Sequence, residues 1–129
     1  MVTGTLGGQA ASGYTLEPTP RLDEGLRLAE FATAMIDISD GIAADAPRLA
    51  AASGCGAVIW LERLPRAAGA SLEQAAGGGE DYELLAALPH DASVPEWTTV
   101  VGELRAAAGV ELLDADGSPR QLAGWDHFR

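Results

Sequence analysis

The stretch AMIDISDGIAAD, residues 34–45, changes its period in the middle. Ile36 and Ile38 alternate with Asp37 and Ser39, the period of two expected of a strand with one buried face. Asp40 and Gly41 interrupt the alternation, and IAADAPRLAAA after them reads as a helix. A strand that turns directly into a helix is a building unit of layered domains containing both element types, so this stretch points to an α+β fold. It also gathers Asp37, Ser39 and Asp40 at the junction, and two chemistries fit them. In one, Asp40 is a natural N-cap and Asp37 is solvated. In the other, the carboxyl end of the strand and the start of the helix form a metal–phosphate site. Oxygen ligands without histidine or cysteine suit Mg²⁺, and first-turn N–H groups suit phosphate. Spacing alone favours the cap.

Outward from that junction, VTGTL (2–6) is a short β-prone run, and GGQAASGYTLEPTPR (7–21) reads as a loop. LDEGLRLAEF (22–31) is a modest amphipathic helix, TAMIDIS (33–39) a strand, and residues 40–53 a helix closed by Gly54. Pro47 inside that helix is expected to kink it or confine it to its first turns. GAVIWLERLP (56–65) is a strand, and GASLEQAAGGG (69–79) a short helix with a glycine-rich exit. EDYELLAALP (80–89) and WTTVVGEL (97–104) are strands. GVELLDADGSPRQLAGW (109–125) is a hairpin turning at Asp116–Gly117, with Pro119 marking its second arm as an edge.

Composition removes several function classes. The 129 residues are 47% hydrophobic, enough to fold with a core, and carry a net charge of −11. An acidic balance of that size argues against nucleic acid or an anionic membrane as partner. The eight basic residues are all arginines, so neither a phosphate-loop lysine nor a Schiff-base lysine exists in this chain. Cys55 is the only cysteine, which excludes an internal disulfide and reads as a core thiol. No signal-peptide pattern and no long apolar run occurs, so the expected compartment is the cytoplasm.

Two further stretches are unusual. GGGEDYELL (77–85) sets Glu80 and Asp81 behind three glycines, which serve either a plain connection or close approach of backbone to a ligand. GWDHF (124–128) keeps Trp125 and Phe128 at the C-terminus, either as a docked tail or as a ring that stacks on a cationic heterocycle. His127 reads as a surface or tail-anchoring residue.

Taken in order, VTGTLGGQAASGY, AMIDISDGIAAD, GAVIWLERLP, GGGEDYELL, VVGEL and GWDHF resemble the C-terminal domain of the thiamine-monophosphate kinase family. That family lies within the aminoimidazole-ribonucleotide synthetase-like ATP enzymes. The resemblance implies one α+β domain over 1–129, layered, with a mixed, largely antiparallel sheet and packed helices. It implies ATP-dependent, Mg²⁺-dependent phosphorylation of thiamine monophosphate to thiamine diphosphate. Asp37 and Asp40 then match magnesium ligands, Ser39 an ATP contact, and Glu80 and Trp125 contacts to thiamine phosphate. The family's N-terminal domain supplies further aspartates, much of the ATP site and most of the homodimer contact. That half is missing here, so the chain is expected to be a fragment or a truncated product, inactive alone. Segments near 14–17 and 66–76 are shorter than the family's, and Pro47 falls in its uninterrupted helix. The alternative is an inactive binding or assembly module that keeps the fold.

Overall fold

The computed structural model describes residues 1–125, so Asp126, His127 and Phe128 of the C-terminal motif lie outside the described residues. The elements run β1 (Val2–Thr3), α1 (Gly8–Ser12), α2 (Leu22–Leu28), β2 (Ala34–Asp37), α3 (Ile42–Ala52), β3 (Gly56–Trp60), α4 (Leu72–Gly77), β4 (Leu84–Ala87), β5 (Thr98–Thr99), β6 (Gly102–Arg105) and β7 (Gly109–Leu113), with a 3₁₀ turn at Leu61–Arg63. An antiparallel sheet has the order β2-β4-β1-β5. A second sheet has the order β6-β3-β7, with β6 antiparallel and β7 parallel to β3. The expected α+β architecture is present, divided between two sheets. α3 packs against β2, β3, β7 and α4 and joins the two layers.

The core follows from the alternation in the opening stretch. Ile38 and Ile42 are fully buried with Val2, Leu6, Leu61 and Val101, while Asp37 faces outward. Each fully buried aliphatic side chain contributes roughly 1.5–3 kcal/mol relative to an exposed one. Cys55 is half-buried and lines an apolar groove between the sheets with Leu49, Ile59, Leu85 and Leu104. Among the described residues no helix is long and apolar enough to cross a membrane.

The elements differ from the expected ones where distant contacts decide the local geometry. The run 97–104 is two strands in different sheets, because the chain crosses between layers at Val100–Val101 and the Val101 carbonyl accepts the Trp60 N–H at 2.8 Å. Residues 80–83 are not strand, since Glu80 (φ 57°) and Tyr82 (φ 52°) adopt left-handed backbone. The hairpin turn forms, with the Asp114 N–H on the Ser118 carbonyl at 2.9 Å, but its second arm pairs only at a Leu113–Pro119 bridge and β7 finds its main partner in β3. Residues 8–12 are helical rather than loop, held at their start by Asp81. α3 continues for eleven residues through Pro47, which sits on its exposed side.

Buried Glu83 shows how a charge is accommodated beside this core. Its carboxylate accepts from Thr3 Oγ1 at 2.6 Å and from Arg21 Nε and Nη2 at 2.8 and 2.6 Å. The forked pairing satisfies both oxygens and fastens the proline-rich segment before α2 to the first sheet.

Candidate functional site

The segment after α4 runs antiparallel to the end of β2 and continues the β2–β4 ladder in irregular form. Ile38 N–H donates to the Glu83 carbonyl at 2.7 Å, Tyr82 N–H to Ile38 at 2.9 Å, and Glu80 N–H to Ser39 at 2.7 Å. Left-handed backbone at bulky residues costs about 1–3 kcal/mol each and persists only where surrounding contacts over-determine it. Here the bonds from Glu80 to Ser39 and from Tyr82 to Ile38, just beyond β2, do so.

Trp125 reaches the same place from the C-terminal side. Its N–H donates to the Asp40 carbonyl at 2.7 Å. Gly79 lies between these segments, and a Cβ on it would stand 2.8 Å from Trp125 Cβ and 2.9 Å from the Ser39 carbonyl oxygen. Backbone bonds therefore bring Ser39, Asp40, Glu80 and Trp125 into one patch. Asp37 stands opposite Leu84 in the register, just before that patch. Its carboxylate is exposed, with no hydrogen bond or ion pair among the described residues.

Asp40 is not the N-cap of α3. Gly41 occupies that position, at φ 90° and ψ 154°, and the helix has no side-chain cap. The stabilising carboxylate comes instead from inside the helix. Asp45, 1% exposed, accepts the Asp40 N–H through Oδ2 at 2.9 Å and Arg48 Nη1 through Oδ1 at 2.6 Å. Arg48 Nη1 also pairs with Asp40 Oδ2 at 2.5 Å. The two carboxylates push the Arg48 pKa further up, with the Asp40 bond the larger influence. The Ser39–Asp40–Gly41 turn is thus fixed by Asp45, whose only trace in the sequence is an acidic residue on an otherwise apolar helix face.

A second aromatic residue, not anticipated from the sequence, completes the patch. Tyr14 packs on Trp125 with ring centroids 4.7 Å apart and planes at 45°. Its hydroxyl donates to the Gly78 carbonyl at 2.7 Å. Burial raises the phenol pKa, and the nearby Glu80 and Asp81 charges add to the effect. Asp81 accepts the N–H groups of Gly7 at 2.6 Å and Gln9 at 3.4 Å, anchoring α1 and hence Tyr14. Burial raises the Asp81 pKa against the opposing pull of those N–H donors.

The donor set sets limits on metal binding. Among the described residues no three His, Cys, Asp or Glu side chains converge as a metal site. Mg²⁺ ordinarily takes one or two protein carboxylates and fills its shell with water and phosphate oxygens. Exposed Asp37 suits that pattern. Asp40 suits it in competition with Arg48. Asp37 and Asp40 together could supply part of an Mg²⁺ shell, not a complete one.

Thiamine-monophosphate kinase of Halobacterium salinarum is 36% identical over 98% of this chain and 52% of its own length. The Salmonella typhimurium thiamine-monophosphate kinase is 35% identical over 88% of this chain and 41% of its own length. The chain thus spans about half the length of the curated relatives it matches. Among solved structures, AaThiL complexed with AMPPCP and TMP is 32% identical, with a TM-score of 0.79 over 98% of this chain and 50% of that one. The family described as AIR synthase related protein, C-terminal domain, matches residues 4–110. That match runs from the first glycine of β1's exit to the start of β7, and by it this chain belongs to the AIR synthase related protein C-terminal domain family.

Proposed function

We propose that this chain is the substrate-side half of a cytoplasmic, homodimeric kinase that moves the γ-phosphoryl group of ATP onto thiamine monophosphate, giving thiamine diphosphate. The observation that carries the reading is the patch in which backbone bonds bring Ser39, Asp40, Glu80 and Trp125 together. Its support from relatives is the similarity to thiamine-monophosphate kinases over nearly the whole chain.

Each residue has a physical task in that reaction. Trp125, 38% exposed, offers a ring face to a cationic heteroaromatic ring such as thiazolium. Glu80 adds a carboxylate beside it. Asp37 and Asp40 would hold Mg²⁺, which when bound neutralises charge on the phosphates. Ser39, partly exposed at the turn before α3, would contact ATP. An oxygen of thiamine monophosphate bonds to the γ-phosphorus as the bond to the bridging oxygen of ADP breaks. Such a transfer depends on in-line positioning and charge neutralisation more than on a strong base. The remaining metal ligands and ATP contacts come from the N-terminal half found in the family, so this chain alone turns over little ATP.

Calorimetric titration with thiamine monophosphate in Mg²⁺ tests the reading. Binding is expected, and Trp125→Ala is expected to weaken it about tenfold. Asp37→Asn is expected to abolish the Mg²⁺ dependence while leaving the thermal midpoint unchanged. Absence of binding by the wild-type chain in Mg²⁺ contradicts the proposal.

A further inference from the structure

Tyr14 belongs to no motif assigned a role above, yet it touches two parts of the candidate site. Its ring lies against Trp125 at 4.7 Å. Its hydroxyl holds the Gly78 carbonyl at 2.7 Å, one peptide before the Gly79–Glu80 turn. The residue also sits in left-handed backbone at φ 61°, a conformation uncommon for an aromatic side chain. Residues 9–14 are held to it by the Tyr14 N–H on the Gln9 carbonyl at 2.7 Å and by the Asp81 carboxylate on the Gly7 N–H. A strained residue held by that many contacts from separate segments has a fixed ring orientation.

We propose that Tyr14 is a positioning and specificity residue: it orients the Trp125 ring and the Glu80 turn so that the site accepts a flat, cationic heteroaromatic group carrying a phosphate. The inference rests on the functional reading above and adds the residue that sets ring selectivity. An edge-tilted neighbour fixes the plane of Trp125, and the hydroxyl bond to Gly78 fixes the height at which Glu80 stands beside it. Trp125 stays 38% exposed with Tyr14 packed beside it, and that exposed π surface attracts a cationic ring and gives a plain phosphate nothing. Phosphate recognition is left to the Ser39–Asp40–Gly41 turn, so ring and phosphate affinities are separable.

The test measures binding of thiamine monophosphate and of inorganic phosphate to the wild-type chain, Tyr14→Phe and Tyr14→Leu, in Mg²⁺. Tyr14→Leu is expected to weaken thiamine monophosphate about tenfold and leave inorganic phosphate unchanged, with Tyr14→Phe recovering most of the loss. A purely structural role moves both ligands together. A measurement that leaves Tyr14 in place guards against misfolding of Tyr14→Leu. In ring-labelled tyrosine NMR the chain gives signals from Tyr14 and Tyr82 only, assigned with Tyr82→Phe. The Tyr14 ring signal is expected to shift on adding thiamine monophosphate. Equal thiamine monophosphate affinity in wild type and Tyr14→Leu, or a Tyr14 signal that stays fixed while ligand binds, overturns this inference alone. Failure of the wild-type chain to bind thiamine monophosphate overturns the functional reading and this inference with it.

Discussion

Gly41→Ala is expected to destabilise the chain by about 3 kcal/mol, lowering the thermal midpoint by roughly 10 °C. Two independent costs add at this residue. Its backbone, at φ 90° and ψ 154°, lies in a region that essentially only glycine occupies. A Cβ there would also meet Gly77 Cα at 2.8 Å and the Ala76 carbonyl oxygen at 2.9 Å, and both are backbone atoms that cannot swing aside. Relief would require α3 and α4 to separate, which opens the buried contacts of Ile42, Ala75 and Ala76. The same movement draws the Ser39–Asp40 turn away from Glu80 and Trp125, so ligand affinity is expected to fall with stability. Thermal and urea unfolding of the variant measure the effect. A loss below about 1 kcal/mol would show that the turn relaxes without cost and that its geometry is not fixed by these contacts.

Asp45→Ala is expected to cost about 2–4 kcal/mol. The carboxylate is buried and accepts both the Asp40 N–H and the Arg48 guanidinium, so truncation strands a backbone donor and leaves Arg48 with Asp40 alone. Asp45→Asn keeps an acceptor for the Asp40 N–H and is expected to recover about half of the loss. Arg48 is largely exposed, and Arg48→Ala is expected to cost under about 1 kcal/mol by itself. A double-mutant cycle between the two, read by urea denaturation, is expected to give a coupling of about 1 kcal/mol. Additive losses would mean that the Asp45–Arg48 contact contributes nothing and that the backbone bond to Asp40 carries the whole effect.

How far the sequence reveals this molecule depends on the range of the interactions involved. Ile36, Ile38 and Ile42 declare the strand, the turn and the helix because burial periodicity is local. The Ser71 cap of α4, with Gln74 reciprocating, is likewise written within four residues. The helix at Gly8–Ser12 is invisible locally because its capping carboxylate is Asp81, seventy-four residues from Gly7. The division of 97–104 between two sheets is hidden for the same reason: β5 answers to β1 and β6 to β3. At the site, the sequence singles out Asp37, Ser39, Asp40, Glu80 and Trp125 through motif resemblance, and the fold gathers the last four by backbone bonds. The assumption that Asp40 caps α3 fails because Asp45 supplies the buried acceptor and Gly41 the entry to the helix. Tyr14 sits in what reads as a plain glycine-rich loop, and its contacts to Gly78 and Trp125 span 64 and 111 positions. No local pattern announces a pairing of that range.

The central claim is that this chain completes a phosphoryl-transfer site when joined to the half its relatives carry. Mixing it with the N-terminal half of the Halobacterium salinarum relative, in ATP, Mg²⁺ and thiamine monophosphate, tests that claim most directly. Thiamine diphosphate is the product to follow, with association of the two halves measured in parallel. The account predicts product only when both halves are present, and its loss when this chain carries Asp37→Asn. A complex of the two halves that binds thiamine monophosphate yet forms no thiamine diphosphate would contradict it and mark the chain as an inactive binding module.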